Sequence, residues 1–375
     1  MALMVSAPLY ATVEEEATQI VDAIYDLQFD RAEKAAVDLS ARYPDSPAGD
    51  FYRSVGYYQR YLIEDPPQAQ TLDAFFKAND LALKKAARLT PQSPAMGHYY
   101  KGAALGFEAR VYIAQKHFTS AVPAARQGVK ELAEAIRLDP SLIDAKLGLG
   151  MYDYFLDRIP PAAKPVTFVM VGLWGNRPKG LALLREVAEK GGASRPEAQF
   201  ILAAIDASQK EQKWDEAERL FRTLKEHYPH NPRYRMKLVY VLQRKGLWEE
   251  AAQIADPEGA WIQTLDPIVR QRAQSSARYR AAENLLFAGH WQDAVILLDR
   301  LESADISPAM EDWVALRRGN SLDAQGRSGD AAAYYNAIQG KKAKALAEIF
   351  EKHPFPDGPR DVMPAHWPLP NIPLE

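Results

Sequence analysis

The chain contains no cysteine among its 375 residues. Disulfide bonds, thiolate metal sites and a cysteine nucleophile are therefore excluded. Basic charge is not in excess either: the net charge is −3, whereas a nucleic-acid partner usually requires a concentrated positive surface. No run approaches the roughly 20 apolar residues of a membrane span. The longest run, 166–174, is expected to be a buried helix, and insertion into a membrane interface is the alternative.

Signatures of catalysis are also lacking. Neither His-Glu-x-x-His nor Gly-x-Ser-x-Gly occurs, and the glycine-rich stretch 172–180 lacks the Gly-Lys-Ser/Thr ending of a phosphate loop. Its glycines are expected to permit a tight turn and close helix packing. His227 and His230 flank Pro229 without a nearby carboxylate cluster, which favours a solvated turn over a metal site. The sequence therefore predicts no enzyme, no metal site and no cofactor.

The distribution of proline predicts an all-α fold. Few segments alternate apolar and polar residues at period two, so strands are not expected. The residue before a proline avoids the α region, so helices should end before Pro44, Pro91, Pro140, Pro196 and Pro229. Three further prolines follow a potential N-cap and should start the next helix. These pairs are Ser46-Pro47, Ser93-Pro94 and Asn231-Pro232.

A four-residue phrase recurs along the chain: an aromatic or small residue, any residue, an acidic or polar residue, and alanine. Its alanines are Ala32, Ala217, Ala251, Ala294 and Ala331, and the interval from Ala217 to Ala251 is 251 − 217 = 34 residues. A period near 34 is typical of the tetratricopeptide repeat, a helix–turn–helix unit. A small residue at this position lets two antiparallel helices approach, and larger residues one turn further on fill the gap. The phrase predicts a right-handed superhelix of such pairs, an α-solenoid, with Gly319 at a helix crossing in the last unit.

The chain divides into five predicted segments. Residues 1–12 are a signal-peptide remnant or a frayed end, and 13–158 form longer, divergent helical repeats, including the pair 93–115 and 118–138. An irregular insert, 159–180, precedes the repeats of 181–352. The tail, 353–375, contains 7 prolines in 23 residues and should be extended. It is either disordered or a ligand for an aromatic groove.

The first residues bear on the compartment. Residues 1–11 are apolar and end in alanine, but they lack the basic start of a secretory signal. We predict an exported, periplasmic protein, with a cytoplasmic location as the alternative.

The centre of the chain resembles a known family. The runs are LGLGMYDYFLDRIP at 147–160 and VGLWGNRPKGL at 171–181. Together with the helix-rich stretch up to residue 255, they resemble the tetratricopeptide repeat protein 39 family, which includes an inclusion-body clearance protein of the mitochondrial outer membrane. The resemblance covers 142–255. It implies an all-helical adaptor in protein quality control or lipid handling, and it implies no catalytic residue.

A binding groove is the predicted functional site. In stacked repeats the first helix of each pair lines the concave face, so polar and aromatic residues there are expected to be exposed to a peptide. They are Gln199, Asp206, Gln209, Lys210, Arg233, Tyr240, Gln243, Arg244, Tyr279, Glu283, Trp313, Asn320 and Asp323. The leading hypothesis is a non-enzymatic scaffold that binds a peptide or protein, and the alternative for these residues is simple solvation.

Two other functions remain open at this stage. One is a structural subunit of an envelope or membrane-associated complex, which would use the convex face or 166–174. The other is a small-molecule carrier whose tyrosine-rich N-terminal half encloses a cavity. Its tyrosines are Tyr52, Tyr57, Tyr58, Tyr61, Tyr99, Tyr100, Tyr152 and Tyr154. The oligomeric state is not predicted.

Overall fold

The computed structural model describes residues 6–64, 66–157, 175–208, 210–302 and 306–356, with only the backbone of 6–12 and 309. All regular elements within these ranges are helical, which confirms the all-α prediction. Short 3₁₀ turns occur at Ile143–Ala145 and Ala260–Thr264. The α-helices are α1 (Ser6–Tyr25), α2 (Phe29–Arg42), α3 (Ala48–Ile63), α4 (Ala69–Leu89), α5 (Pro94–Ala114), α6 (Phe118–Leu138), α7 (Lys146–Asp157), α8 (Arg177–Lys190), α9 (Arg195–Asp206), α10 (Trp214–His227), α11 (Pro232–Arg244), α12 (Trp248–Ala255), α13 (Pro267–Ala288), α14 (Trp291–Glu302), α15 (Pro308–Ala324), α16 (Ser328–Ala337) and α17 (Lys341–Lys352).

Proline sets most of the predicted helix ends. Helices α2, α4, α6 and α10 each end two residues before a proline, as predicted. The prediction for Pro196 is wrong, because it lies in the first turn of α9 and not after a helix. Proline is accepted there because the first N–H groups of a helix have no intrahelical partner.

The predicted N-caps are confirmed in part. The side chain of Asn231 accepts a hydrogen bond from the Arg233 N–H at 3.1 Å, and Pro232 opens α11. Pro94 likewise opens α5. Pro47 is itself the cap of α3, so its helix starts one residue later than predicted.

The chain forms two compact units, Met1–Leu202 and Ala203–Glu375, called the N-terminal and C-terminal units below. In each unit, most helices pack against their neighbours in sequence. Alternate helices also touch: α1 contacts α3 and α3 contacts α5 in the first unit, and α11, α13, α15 and α17 contact one another in succession in the second. The core of each unit is therefore built from consecutive helices that pack in pairs, and the alternate helices of these pairs form a common layer.

The alanines of the recurring phrase are buried, as the helix-approach argument predicts. Ala32 is 3% exposed and the other four are 0% exposed. The aromatic residue that opens the phrase has a second role. The ring of Trp214 lies 6.3 Å from Tyr240 of α11, and the ring of Trp248 lies 5.2 Å from Phe287 of α13. At Trp214 and Trp248 the phrase thus also contacts the helix that follows it along the chain.

Glycines mark the closest helix crossings. A Cβ at Gly319 would lie 2.6 Å from Cζ of Tyr335, which confirms the predicted crossing. A Cβ at Gly180 would lie 2.6 Å from the Tyr154 backbone N and 2.7 Å from the Gly150 carbonyl O. The glycine-rich stretch therefore permits close packing of α8 on α7, as the sequence indicates.

Candidate functional site

The residues of the predicted groove are mostly internal. The expectation of exposure is wrong for seven of them, because their side chains are buried, six of them on the alternate helices α11, α13 and α15. These are Asp206, Gln243, Tyr279, Glu283, Trp313, Asn320 and Asp323, with exposures between 0% and 7%. Gln199, Arg233, Tyr240 and Arg244 are half-buried, Lys210 is exposed, and Gln209 lies outside the described residues.

Glu283 of α13 is the centre of a buried polar network in the C-terminal unit. Its carboxylate accepts hydrogen bonds from Gln243 Nε2 at 2.8 Å, Tyr279 Oη at 3.0 Å and Arg280 at 2.9 Å. Arg317 of α15 donates two more, at 3.0 and 2.6 Å. Burial raises the pKa of Glu283, but the charges of Arg317 and Arg280 outweigh burial and lower it to about 2. The carboxylate is therefore ionised and fully enclosed at neutral pH.

The network continues from Arg317 to the last described residues. Arg317 donates to Asn320 Oδ1 at 2.9 Å, and Asn320 donates to Tyr335 Oη at 3.0 Å. Tyr335 donates to Asp323 at 2.6 Å, which also accepts the Phe355 N–H at 3.3 Å. Five predicted groove residues are thus brought together, but as a bonded interior that ties α11, α13, α15 and α16. Arg280 and Arg317 were not predicted, and the mixed polar and apolar sequences of α13 and α15 give no local signal that these two arginines are buried.

The half-buried residues of α11 form a small aromatic platform. The Arg244 guanidinium lies 5.3 Å from the centroid of the Trp214 ring, and Tyr240 meets the same ring edge to face. Burial lowers the pKa of Arg244. Tyr240 and Arg244 thus retain accessible surface, as do Gln199, Lys210 and Arg233 of the predicted groove.

An open, mostly apolar site lies in the N-terminal unit, between α5, α6 and α7. We call it the cleft; its volume is about 220 Å³. Small residues form its floor: Gly102, Ala103, Gly106, Gly128 and Gly148. Its walls include Phe107, Ile113, Val129, Leu132, Met151 and Phe155. Tyr99 and Tyr152, two of the eight tyrosines named above, also line it.

Two glycines of the floor differ in their surroundings. A Cβ at Gly102 would lie 2.9 Å from the Gly128 carbonyl O, so α5 and α6 cross closely at this point. A Cβ at Gly106, one turn later, would meet no atom within 4 Å. Gly106 therefore borders open space, and a larger side chain there would enter the cleft without displacing the helices.

The outer rim of the cleft is exposed and apolar. Ile113 is 53% exposed and Phe155 is 50% exposed. Large apolar side chains that border a concave site are a common feature of interaction surfaces.

One wall of the cleft carries a paired charge. Arg110 lies 2.5 Å from the Glu197 carboxylate, and its guanidinium lies 4.8 Å from the Tyr58 ring centroid. Tyr25 Oη donates to the same carboxylate at 2.6 Å. Burial lowers the pKa of Arg110, but the charge of Glu197 outweighs burial and raises it. The charges of Arg110 and Glu197 therefore neutralise each other.

A second, polar cavity of about 310 Å³ shares Tyr99 and Asp144 with the cleft. Glu14, Glu15 and Lys190 also line it. Tyr100 Oη donates to Glu14 at 2.6 Å, and burial raises the pKa of Glu14 to about 7. Asp144 accepts the Gly192 N–H at 2.8 Å and the Ser194 N–H at 3.3 Å, and burial raises its pKa as well.

The raised pKa of Glu14 predicts that the wild-type chain loses stability as the pH rises from about 4.5 to 7. The folded state holds a proton on Glu14 that the unfolded state releases over this interval. The loss is on the order of 1–3 kcal/mol, reduced from the full shift because Glu14 borders a cavity. Melting temperatures at pH 5 and pH 8 measure it. The variant Glu14→Gln should show a smaller difference between the two pH values, whereas Glu15→Gln at the exposed neighbour should behave as wild type.

The described part of the chain contains no group of three or more acidic or histidine side chains arranged to hold a metal ion. Among its helices, none combines the length and apolar character needed to cross a bilayer. The run 166–174 lies outside the described residues.

Comparison with protein-family models gives no match for this chain, and comparison with curated proteins likewise gives none.

Proposed function

We propose that this chain is a non-enzymatic interaction scaffold of tetratricopeptide-like helix pairs, arranged as a right-handed α-solenoid, which binds an apolar segment of a partner protein in the cleft. The observation that carries the proposal is the open apolar site on α5, α6 and α7. Its glycine floor leaves space beside Gly106, and nothing in the wall resembles a catalytic constellation.

The rim favours a macromolecular partner. A small ligand in a typical pocket buries 70–90% or more of its own surface. The exposed Ile113 and Phe155 present apolar surface outside the cavity, which a ligand confined to about 220 Å³ would leave in water. A protein segment can fill the cavity with one or two side chains and cover the rim with its neighbours.

Photocrosslinking tests this proposal. A photoreactive amino acid at Ile113 should trap a protein partner in cells, whereas the same group at Leu81, which is 45% exposed on α4, should not. Gly106→Leu should reduce the Ile113 crosslink about tenfold or more, since its side chain would occupy the cleft. Gly329→Leu is the matched control, because a Cβ at Gly329 also meets no atom within 4 Å. Equal crosslinking by both leucine variants would contradict the proposal.

A small-molecule carrier is the second candidate, and the same cavity supports it. Tyr99 and Tyr152 could each offer a hydroxyl to a mostly apolar ligand. Native mass spectrometry of the purified chain distinguishes the two functions. A bound ligand that Gly106→Leu removes would favour the carrier, and the unliganded mass would favour the scaffold.

The platform on Trp214, with Tyr240 and Arg244, is a second proposed contact surface, within the C-terminal unit. The resemblance of 142–255 to the tetratricopeptide repeat protein 39 family supports an adaptor role in protein quality control. Export to the periplasm and peripheral membrane association remain proposals that rest on residues 1–11 and 166–174.

A further inference from the structure

We infer that the partner segment carries a basic side chain beside its apolar residues, and that Asp144 receives this cation at the inner end of the cleft. This inference rests on the proposed function and names the chemistry of the segment that the cleft selects.

The two ends of the cleft differ in character. Of the residues that line it, Tyr99 lies near the start of α5 and Asp144 just before α7, whereas Ile113 and Phe155 lie near the C-terminal ends of these helices. Along α7 the cleft follows the helix from Leu147 to Phe155, a rise of about 12 Å at 1.5 Å per residue. A ligand that fills it is therefore elongated, with its apolar part toward the open rim and a polar end toward Asp144.

The charges at the inner end favour a cation. Arg110, on the wall, is already neutralised by Glu197 at 2.5 Å. Asp144 receives backbone N–H groups from Gly192 and Ser194, and the charge of Arg195 also acts on it, yet burial still raises its pKa. The polar cavity, which shares Tyr99 and Asp144 with the cleft, is lined by two acids, Glu14 and Glu15, and one cation, Lys190. Because the raised pKa of Glu14 keeps it largely protonated up to about pH 7, this cavity brings no excess of either charge to Asp144.

The cleft also contains a polar atom without a partner. The hydroxyl of Tyr152 on α7 is buried and makes no hydrogen bond. Unsatisfied buried polar groups are rare in proteins, and one on the wall of a binding site is available to a ligand. A peptide or side-chain amide in the cleft would provide the missing partner.

Three ten-carbon probes test the charge preference: decylammonium, decanol and decanoate. Each is titrated against the protein with a bound fluorescent apolar reporter, N-phenyl-1-naphthylamine. Decylammonium should displace the reporter at about a tenfold lower concentration than decanoate, because a charge-assisted hydrogen bond to Asp144 forms only with the cation. Decanol should lie between them. Equal affinity of decylammonium and decanoate would overturn the inference.

The variant Asp144→Asn locates the preference. Asparagine keeps an oxygen that can accept the Gly192 N–H, so the loop at 192–194 is retained while the charge is lost. The preference for decylammonium should fall to within about twofold, with decanol binding unchanged. Asp80→Asn, at a carboxylate that is 59% exposed on α4, is the control for net charge and should keep the preference. An unchanged preference in Asp144→Asn would overturn the role of Asp144, and if that variant does not fold, the wild-type comparison decides.

A peptide pair separates a protein segment from a free amphiphile. Ac-Leu-Leu-Lys-Leu-NH₂ should bind more tightly than Ac-Leu-Leu-Gln-Leu-NH₂. If decylammonium binds but neither peptide does, the assignment to a protein segment is overturned. Failure of decanol and both peptides to bind would contradict the proposed function itself. Binding of decanol with no preference for the cation would overturn only the inference.

Discussion

Replacement of Glu283 by alanine is expected to destabilise the C-terminal unit by about 3–5 kcal/mol. Glu283 is 1% exposed, and its carboxylate balances Arg280 and Arg317, which are 0% and 1% exposed. Removal of the acid leaves two guanidinium groups buried without their counter-charge, and it removes the acceptor of Gln243 and Tyr279. Urea denaturation of wild type and variant measures the difference in the free energy of unfolding.

Glu258 provides a matched control within the same unit. It also pairs with two arginines, Arg278 at 3.2 Å and Arg300 at 2.9 Å, but its side chain is 51% exposed. Glu258→Ala should cost less than about 1 kcal/mol, because water solvates the released charges. A loss for Glu283→Ala no larger than that for Glu258→Ala would show that the buried network does not hold the unit together.

The second large effect is expected at Gly180, where α8 crosses α7. Gly180→Ala places a methyl group within 2.6–2.7 Å of the Tyr154 N and the Gly150 carbonyl O, which are backbone atoms that cannot rotate away. The helices must separate, and overpacking of this kind costs about 1–3 kcal/mol.

Gly106→Ala is the comparison for this substitution. It introduces the same methyl group into a helix of the same unit, but into open space. It should stabilise the protein by up to about 1 kcal/mol, because alanine restricts the unfolded chain and favours the helix. Thermal melts of both variants measure the pair. A Gly180→Ala protein as stable as Gly106→Ala would contradict the close crossing.

Local features could be predicted from the sequence because local chemistry decides them. Four helices end two residues before a proline, since the residue before proline avoids the α region. The alanines of the phrase are buried because only a small residue permits the helix approach. Leu62 shows the limit of such patterns. Its spacing from Phe51, Val55 and Tyr58 places all four on one apolar face of α3, yet Leu62 is 40% exposed, while Ile63 beside it is buried.

The groove residues show why the exposure of a helix face is harder to predict. Polar positions on α13 and α15 were expected to face solvent. Alternate helices instead pack against each other, so Glu283 and Asn320 point into the layer between them. A helix register fixes which residues share a face, but the direction of that face depends on the neighbouring helices. Hydrogen-bonded pairs such as Arg317 with Glu283 cannot be predicted from either helix alone, because they form only when two helices that are distant in sequence pack together.

The cleft illustrates a similar limit for glycine. Gly102, Gly106 and Gly180 are all helical glycines, the first two on α5 and the third on α8. Two of them meet backbone atoms of another helix, and the third borders open space. The surroundings of Gly102 and Gly106 depend on where α6 and α7 lie relative to α5, and those of Gly180 depend on where α8 crosses α7. No local sequence pattern encodes these positions. The small-residue run 102–106 and the tyrosine-rich helices were the available signals.

Titration of the chain with N-phenyl-1-naphthylamine tests most directly whether the cleft is a binding site. The wild-type protein should bind one molecule with a rise in fluorescence, and Gly329→Leu should bind it equally. Gly106→Leu should bind at least about tenfold more weakly, since the leucine side chain fills the space that the reporter would occupy. Unchanged binding by a folded Gly106→Leu protein would contradict the assignment of function to the cleft.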